Sequence, residues 1–396
     1  MKKLHLLFAG LLVCGALFMS SCNETNDNPV KPTNPLGIPD DADAKPNPIL
    51  DLSKLNTVLA NVNPSVSYVD GQVVIRLDLT GVKDPYTNDW VKLHGTGHPN
   101  QNLFVSVDGT PKGFTVEKVE NDNIGLVDLV FLVDNSGTMS QEAEAIANNI
   151  IDWAQKLKDD KLDIIFGCVG YDGEITGAIN ITTAEKLSEF LNYSTGVTRT
   201  RHFGGPDASD LKSKIGPYKT KANYQDECGV AALRFADENF SFRPGANRVY
   251  VNFTDEPNQP RGKSDFSTEW VNNKENWPTA KGTIYTVYSD NTVYLKSKAG
   301  KKGDELFTHV IYQDEHPWKL SEYTGGEYRF YPASFEGVSL GDLPVTGAMK
   351  NLYIIRFSNA TGLLDGNVHD VWLTVMSTSD NGDDILADRH YDVIFQ

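Results

Sequence analysis

The hydrophobic positions along this chain change their period twice. Residues 64–120 alternate apolar and polar side chains, the two-residue period of half-buried strands. Residues 66–69 and 72–79 flank Asp70-Gly71, a dipeptide that supplies the positive φ angles of a two-residue hairpin turn. Residues 103–107 and 114–119 flank a second such dipeptide, Asp108-Gly109. From Asp128 unbroken apolar runs alternate with segments of helical period. The pattern predicts strands over 128–133, 162–170, 248–253, 283–288 and 327–331. It predicts helices over 140–158, 184–191 and 227–238, with another just before Thr324. Continuous apolar runs read as strands buried on both faces, and their alternation with helices predicts an α/β fold with a doubly wound, mostly parallel sheet. After Pro332 the period returns to two, over 352–357, 368–376 and 389–395, with Asp365-Gly366 between the first two. Neither β region is self-sufficient. The expected solution is one β-sandwich built from 49–122 and 335–396, with the α/β region 123–334 inserted between them; two separate β modules are the alternative.

The ends of the chain carry a different message. Lys2 and Lys3 precede a short apolar run, 4–18, and Met19-Ser20-Ser21 precedes Cys22. This layout resembles a bacterial lipoprotein signal, although Met19 stands where that family usually has Leu. The resemblance implies removal of 1–21 and acylation of Cys22, giving a protein anchored to the membrane by acyl chains rather than by a span. An ordinary secretory signal cleaved nearby is the alternative. Glu24 and Asp27 resemble the surface-export signals of some Gram-negative lipoproteins, so the expected place is the outer membrane, exposed at the surface. Residues 22–48 are expected to be a disordered tether. Pro29, Pro32, Pro35, Pro39, Pro46 and Pro48 alternate there with Asn and Asp, and so few large apolar residues cannot build a core. In polyproline form, at about 3.1 Å per residue, it would reach roughly 80 Å from the membrane.

Charge narrows the partners. The chain carries a formal −17, and losing 1–21 removes two lysines and no acid. So acidic a surface disfavours nucleic acid and anionic lipid as partners and is compatible with a divalent cation.

The chemistry concentrates where the first long apolar run stops, in Val133-Asp134-Asn135-Ser136-Gly137-Thr138-Met139-Ser140. In an open α/β sheet, ligands bind at the carboxyl ends of strands. Asp134, Ser136 and Thr138 offer one carboxylate and two hydroxyls there, a hard-oxygen set suited to Mg²⁺, Mn²⁺ or Ca²⁺. A turn whose hydroxyls merely cap the following helix is the plainer reading. The strand, the Asp-x-Ser-x-Thr sequence and the helix together resemble the metal-ion-dependent adhesion site of von Willebrand factor A domains. That resemblance implies oxygen ligands from three loops and an open coordination position for an acidic side chain of a protein ligand. Mg²⁺ is the expected cation, with Ca²⁺ or Mn²⁺ as alternatives. The third-loop ligand is Asp255, in Thr254-Asp255-Glu256, where the family has Gly in place of Glu256. The second loop departs from the pattern: aligning the helix near Cys228 puts Asp226 at the ligand position, with Glu227 and Thr220 as alternatives. Asp226 serves equally well as a helix cap.

Three further expectations follow. Cys168 and Cys228 fall on elements that are neighbours in the family fold, so they form either a disulfide or two buried free thiols. Residues 193–224 form a basic loop, with Arg199, Arg201, Lys212, Lys214, Lys219 and Lys221 against Asp207 and Asp210; it either steers an acidic ligand to the metal or is a solvated surface loop. Trp270, beside Phe266 and Trp277, either anchors a partner or packs a helix. No Gly-x-Ser-x-Gly elbow, His-Glu-x-x-His or phosphate-cradling loop is present, so the expectation is a binding protein rather than an enzyme. The leading expectation is a surface lipoprotein for cell or matrix recognition. A structural or assembly subunit of an envelope complex, with a structural metal, is the second.

Overall fold

The computed structural model describes residues 36–119, 126–140, 142–159, 163–192, 209–220, 227–302, 305–306, 312, 314–333, 335, 338–342, 344–358, 360 and 362–396. Strands β1 (Asn63–Val69) and β2 (Gln72–Leu79) open the fold, followed by β3 (Leu103–Val107), β4 (Thr110–Pro111) and β5 (Thr115–Lys118). The α/β segment runs through β6 (Val127–Asp134), α1 (Glu142–Asp159), β7 (Ile164–Tyr171), β8 (Ile175–Thr182), α2 (Ala184–Asn192) and α3 (Ser209–Lys212). It continues through α4 (Gly229–Asn239), β9 (Asn247–Thr254), α5 (Thr268–Asn272), β10 (Thr283–Ser289), α6 (Asn291–Lys298), α7 (Lys319–Thr324) and β11 (Tyr328–Tyr331). The chain closes with α8 (Pro344–Lys350), β12 (Tyr353–Phe357), β13 (His369–Thr378) and β14 (Asp384–Val393).

Six strands make one sheet in the order β11-β10-β9-β6-β7-β8. All pairings are parallel except that of β8, which runs antiparallel to β7 at the edge with two register shifts. β8 is not among the strands expected from the sequence: Ile175, Ile179 and Ile181 alternate with Thr176, Asn180 and Thr182, but Gly177 and Ala178 at its centre weaken the period. The central strand β6 is buried along its whole length. Leu129, Phe131 and Val133 pack on one face against Ile146, Ile150 and Trp153 of α1. Val130 and Leu132 pack on the other face against Val230, Leu233 and Phe235 of α4. Each such side chain contributes about 1.5–3 kcal/mol on leaving water. Helix α1 carries Glu142 and Glu144 in its first turn and Lys156 and Lys158 in its last, the arrangement that complements its dipole.

The other strands form two four-stranded sheets, ordered β1-β2-β12-β5 and β14-β13-β3-β4. Each takes strands from both sides of the α/β segment. A single apolar core lies within them, including Ile75, Leu77, Phe357, Leu373 and Tyr391. The β1–β2 turn has φ of 50° at Asp70 and 78° at Gly71, and the β3–β4 turn 50° at Asp108 and 74° at Gly109, as primed hairpin turns require. The second hairpin is shorter than the sequence pattern suggests. One more backbone bond, from Lys112 N–H to Val105 O (2.9 Å), continues the pairing past Pro111, and the segment beyond it crosses to the other sheet, where β5 pairs with β12.

The tether expected over 22–48 is corrected in its second half. Ile38 and Asn47 are buried, and Asp41–Asp43 form a short helical turn. The Asn47 amide donates to Trp372 O (3.2 Å) and Thr374 Oγ1 (3.0 Å) and accepts from the Ser106 hydroxyl (2.5 Å). Residues 36–48 therefore lie along the sandwich as a strap, fixed by polar contacts that a count of apolar residues does not reveal. Residues 22–35, with Cys22, lie outside the described residues.

Arg389 of β14 ties the sandwich to the α/β segment. Its guanidinium donates to Leu59 O (2.5 Å), Asn61 Oδ1 (2.9 Å) and Tyr323 O (3.0 Å). The last of these carbonyls belongs to the final turn of α7, where a cation complements the helix dipole. Asn61 adds its own N–H to Thr324 O (3.1 Å) and its amide to Gly282 O (2.8 Å). Among the described residues no helix is long and apolar enough to cross a membrane.

Candidate functional site

Strand β6 has β7 on one side and β9 on the other, so the chain reverses direction across the sheet at β6 and β9. Ligand crevices in open α/β sheets form at the carboxyl ends of strands where that reversal occurs. Asp134 ends β6 and Thr254 ends β9, and their side chains meet. The Thr254 hydroxyl donates to Asp134 Oδ2 (2.9 Å), while Asp134 Oδ1 accepts the backbone N–H of Ser136 (2.9 Å). The Ser136 and Thr138 hydroxyls are 2.9 Å apart, and the Thr138 hydroxyl donates to Asp255 Oδ1 at 3.2 Å. Four residues singled out from the sequence, Asp134, Ser136, Thr138 and Asp255, thus form one connected group of oxygens. Asp134 and Ser136 are buried, Thr138 is exposed and Asp255 is half-buried, so the group opens to solvent on one side only.

Further acids surround it. Burial, then the charges of Asp255 and Glu227, push the Asp134 carboxyl well above the usual carboxylate range. Burial, with Glu142 and Asp290 beyond, raises Asp255 to about 6 despite its bond from Thr138. Burial and the neighbouring Asp255, Glu227 and Asp290 raise Glu256 to about 7. Each of these shifts expresses the cost of bringing negative charge into a water-poor place beside more negative charge. A divalent cation would reverse both contributions. Among the described residues no group of three His, Cys, Asp or Glu side chains converges as a ligand set. The donors that do converge are two carboxylates and two hydroxyls, and this hard-oxygen set fits Mg²⁺ or Ca²⁺ rather than zinc or copper.

The loop after β9 is held rigidly beneath the group. Asn258 is buried; its Oδ1 accepts from the Cys228 thiol and the Val230 N–H, both at 3.1 Å. Its amide donates to Phe266 O (2.9 Å) and Glu315 Oε2 (2.7 Å). Helix α4 starts in close contact with the sheet: a Cβ on Gly229 would lie 3.2 Å from the Asn252 amide and 3.3 Å from the Tyr171 hydroxyl. Asp290 follows β10 and caps α6 by accepting from Val293 N–H (2.6 Å). The strand-end rule that locates Asp134 also finds Asp290, whereas Asn258 gives no signal in the sequence.

The remaining candidates divide. Asp226, Arg199 and Arg201 lie outside the described residues. Glu227 is buried and its charge acts on Asp134 and Glu256. Thr220 is also buried, but both its N–H (2.8 Å) and its hydroxyl (3.2 Å) donate to Gly173 O, in the turn after β7. Of the two alternatives for the cysteines, the structure has the free thiols: Cys168 and Cys228 are free and buried. Cys168 faces the α1 side of the sheet and Cys228 the α4 side, so the sheet itself separates the sulfurs. Trp270 is half-buried. Its ring packs 6.4 Å from Trp277 and beneath Arg234, 4.8 Å from the ring centroid, on the flank of α4.

No protein-family model matches the chain, and no curated protein matches it in sequence. Several solved structures are weakly similar to it. The conserved hypothetical protein BatB from Bacteroides thetaiotaomicron is similar at 11% identity and a TM-score of 0.31, over 52% of this chain and 90% of that one. An aerotolerance-related membrane protein from Bacteroides fragilis is similar at 16% identity and a TM-score of 0.29, over 53% and 93%. Proximal thread matrix protein 1 from the mussel byssus is similar at 13% identity and a TM-score of 0.34, over 60% and 49%.

Proposed function

We propose that this chain is a lipid-anchored bacterial surface protein whose α/β segment is a von Willebrand factor A-type domain. In this reading it binds a divalent cation, Mg²⁺ first, and recognises a protein ligand through that cation. The observation that carries the reading is the hydrogen-bonded group of Asp134, Ser136, Thr138 and Asp255 at the carboxyl ends of the adjacent strands β6 and β9. These residues would hold the cation, with Asp226 in the second loop. Two neutral hydroxyls leave the ion only partly neutralised, so an acidic side chain from a partner completes its shell. The open side at Thr138 and Asp255 is where that side chain would enter. The chemistry is recognition rather than catalysis.

The test is calorimetric titration of the chain from residue 36 onward with Mg²⁺, Mn²⁺ and Ca²⁺, beside Asp134→Ala. The expected result is saturable binding that the substitution abolishes. A folded protein that binds none of the three removes the reading. The burial of Asp134 and Ser136 favours a second reading, an envelope-assembly subunit with a structural metal. A site of that kind would exchange its cation over hours, whereas an adhesion site exchanges it on mixing.

A further inference from the structure

The sandwich carries a cleft of about 540 Å³, formed by the segment 84–102 and the end of β13. That volume lies within the range of about 300–1,000 Å³ typical of small-molecule sites. Its walls are built rather than incidental. Asp84 accepts the N–H groups of Tyr86 (2.8 Å) and Thr87 (3.2 Å) and the Ser379 hydroxyl (2.5 Å), fixing one loop to the far wall. Asn102 accepts the His94 N–H (2.8 Å) and donates to Lys92 O (2.8 Å) and Ser377 Oγ (3.4 Å), fixing the other. The Trp90 indole lies over Gly81, where a Cβ would be 2.7 Å from its Cε3, and over Gly347. Two glycines thus set the plane of a half-buried aromatic ring in the cleft wall.

Between these walls the cleft presents Asp89, Trp90, Lys92, Asn100, Gln101 and Asp380. Gln101 Oε1 is buried and has no hydrogen-bond partner among the described residues. Asp84 is engaged by Tyr86, Thr87 and Ser379, so the groups left to meet a ligand are mixed donors and acceptors with an acidic excess. Nucleic acid and other polyanions are repelled by that excess. A purely apolar ligand would strand the polar groups. A sugar hydroxyl donates and accepts at once, and so matches the mixture of Asn100 amide, Asp89 carboxylate and Lys92 ammonium. The Trp90 ring is already taken up by Gly81, Gly347 and the Lys83 ammonium 5.3 Å from its centroid, so the apolar counterpart for the C–H face of a sugar ring is Met376, which is exposed in the cleft wall. We infer that this cleft is a binding site for a short, uncharged oligosaccharide, separate from the oxygen group at Asp134.

The test is titration of the full chain with maltohexaose, cellohexaose, chitohexaose and xylohexaose, followed by calorimetry and by ligand-observed saturation-transfer NMR. At least one is expected to bind saturably. Asp89→Ala and Asn100→Ala, both at exposed positions, should each weaken that binding about tenfold, the effect of losing one or two hydrogen bonds. Asp134→Ala should leave it unchanged. Absence of binding to all four probes overturns the inference, as does binding that survives both cleft substitutions undiminished.

Discussion

The Thr138 hydroxyl meets Asp255 Oδ1 at 3.2 Å across 117 residues of sequence. This contact joins the loop after β6 to the loop after β9, and it turns two turn-like sequences into one site. If the group holds a cation, Thr138→Val should weaken Mg²⁺ binding by at least about tenfold, while Thr138→Ser, which keeps the oxygen, should preserve most of it. At a free Mg²⁺ concentration a hundred times Kd, the wild type should gain about 2.7 kcal/mol of stability. Asp134→Asn should gain none, and urea titrations with and without Mg²⁺ read both results.

Asn258 should matter beyond its size. Removing its side chain leaves the Val230 N–H, Phe266 O and the Glu315 carboxylate short of buried partners. Asn258→Ala is expected to cost about 1–3 kcal/mol, measured as a fall in the urea midpoint. Asn258→Asp should be worse than a neutral isostere suggests, because it places a new charge opposite Glu315.

The cysteines should behave as inert thiols. Burial raises both, Cys228 to about 12, and the sheet lies between them. Ellman titration of the chain lacking residues 1–22 should find no reactive thiol in the native state and two after unfolding. The melting temperature should be the same with and without reductant; a drop on reduction would restore the disulfide.

His369 gives the sandwich a pH dependence. Burial alone would lower its pKa, but bonds to Asp108 (2.8 Å) and Asp365 (3.1 Å) outweigh it and leave the imidazole above 6.5. The charged ring is therefore better accommodated folded than unfolded. Its contribution is fully present below pH 6.5 and is lost as pH rises through the higher folded value. Asp108, lowered first by its bond to His369, and Asp365, lowered first by the Asn367 N–H, act in the opposite sense. Their contributions are lost as pH falls through the carboxylate range. Thermal melts between pH 5 and 8 should show a decline that His369→Gln flattens.

Much of this architecture is legible in the chain because its signals are local. The whole-length burial of β6 follows from an unbroken apolar run. The turns at Asp70-Gly71 and Asp108-Gly109 follow from dipeptides that tolerate positive φ. Asp134, Ser136 and Thr138 are legible because they stand together where a strand stops. What escaped depends on distant partners. The strap from residue 36 is held by Asn47, whose contacts on β3 and β13 cannot be inferred from a proline-rich segment. β8 packs Ile175 and Ala178 into the core, but the small residues Gly177 and Ala178 at its centre dilute the apolar signal. Cys168 and Cys228 fall on neighbouring elements, yet strand parity turns Cys168 to the α1 side of the sheet while Cys228, at the start of α4, lies on the other face, and element adjacency carries no information about which face a strand residue takes.

The way the two outer sheets are assembled has a consequence for how the chain comes to be. β12 pairs with β2 and β5, β13 pairs with β3, and the Leu93 N–H reaches the Tyr353 hydroxyl across 260 residues. Neither sheet can close until nearly the whole chain has been made. Until then β1, β2, β3 and β5 have unpaired edges, while the inserted α/β segment has all its strands in one contiguous stretch. Contacts close in sequence form at a lower entropic cost than distant ones, so the insert is expected to form before the two flanks that it separates in sequence. A truncation before β12 would leave the α/β segment able to fold and the early strands with nothing to pair with. Strands β12 and β13 complete the sheets that β1, β2, β3 and β5 begin.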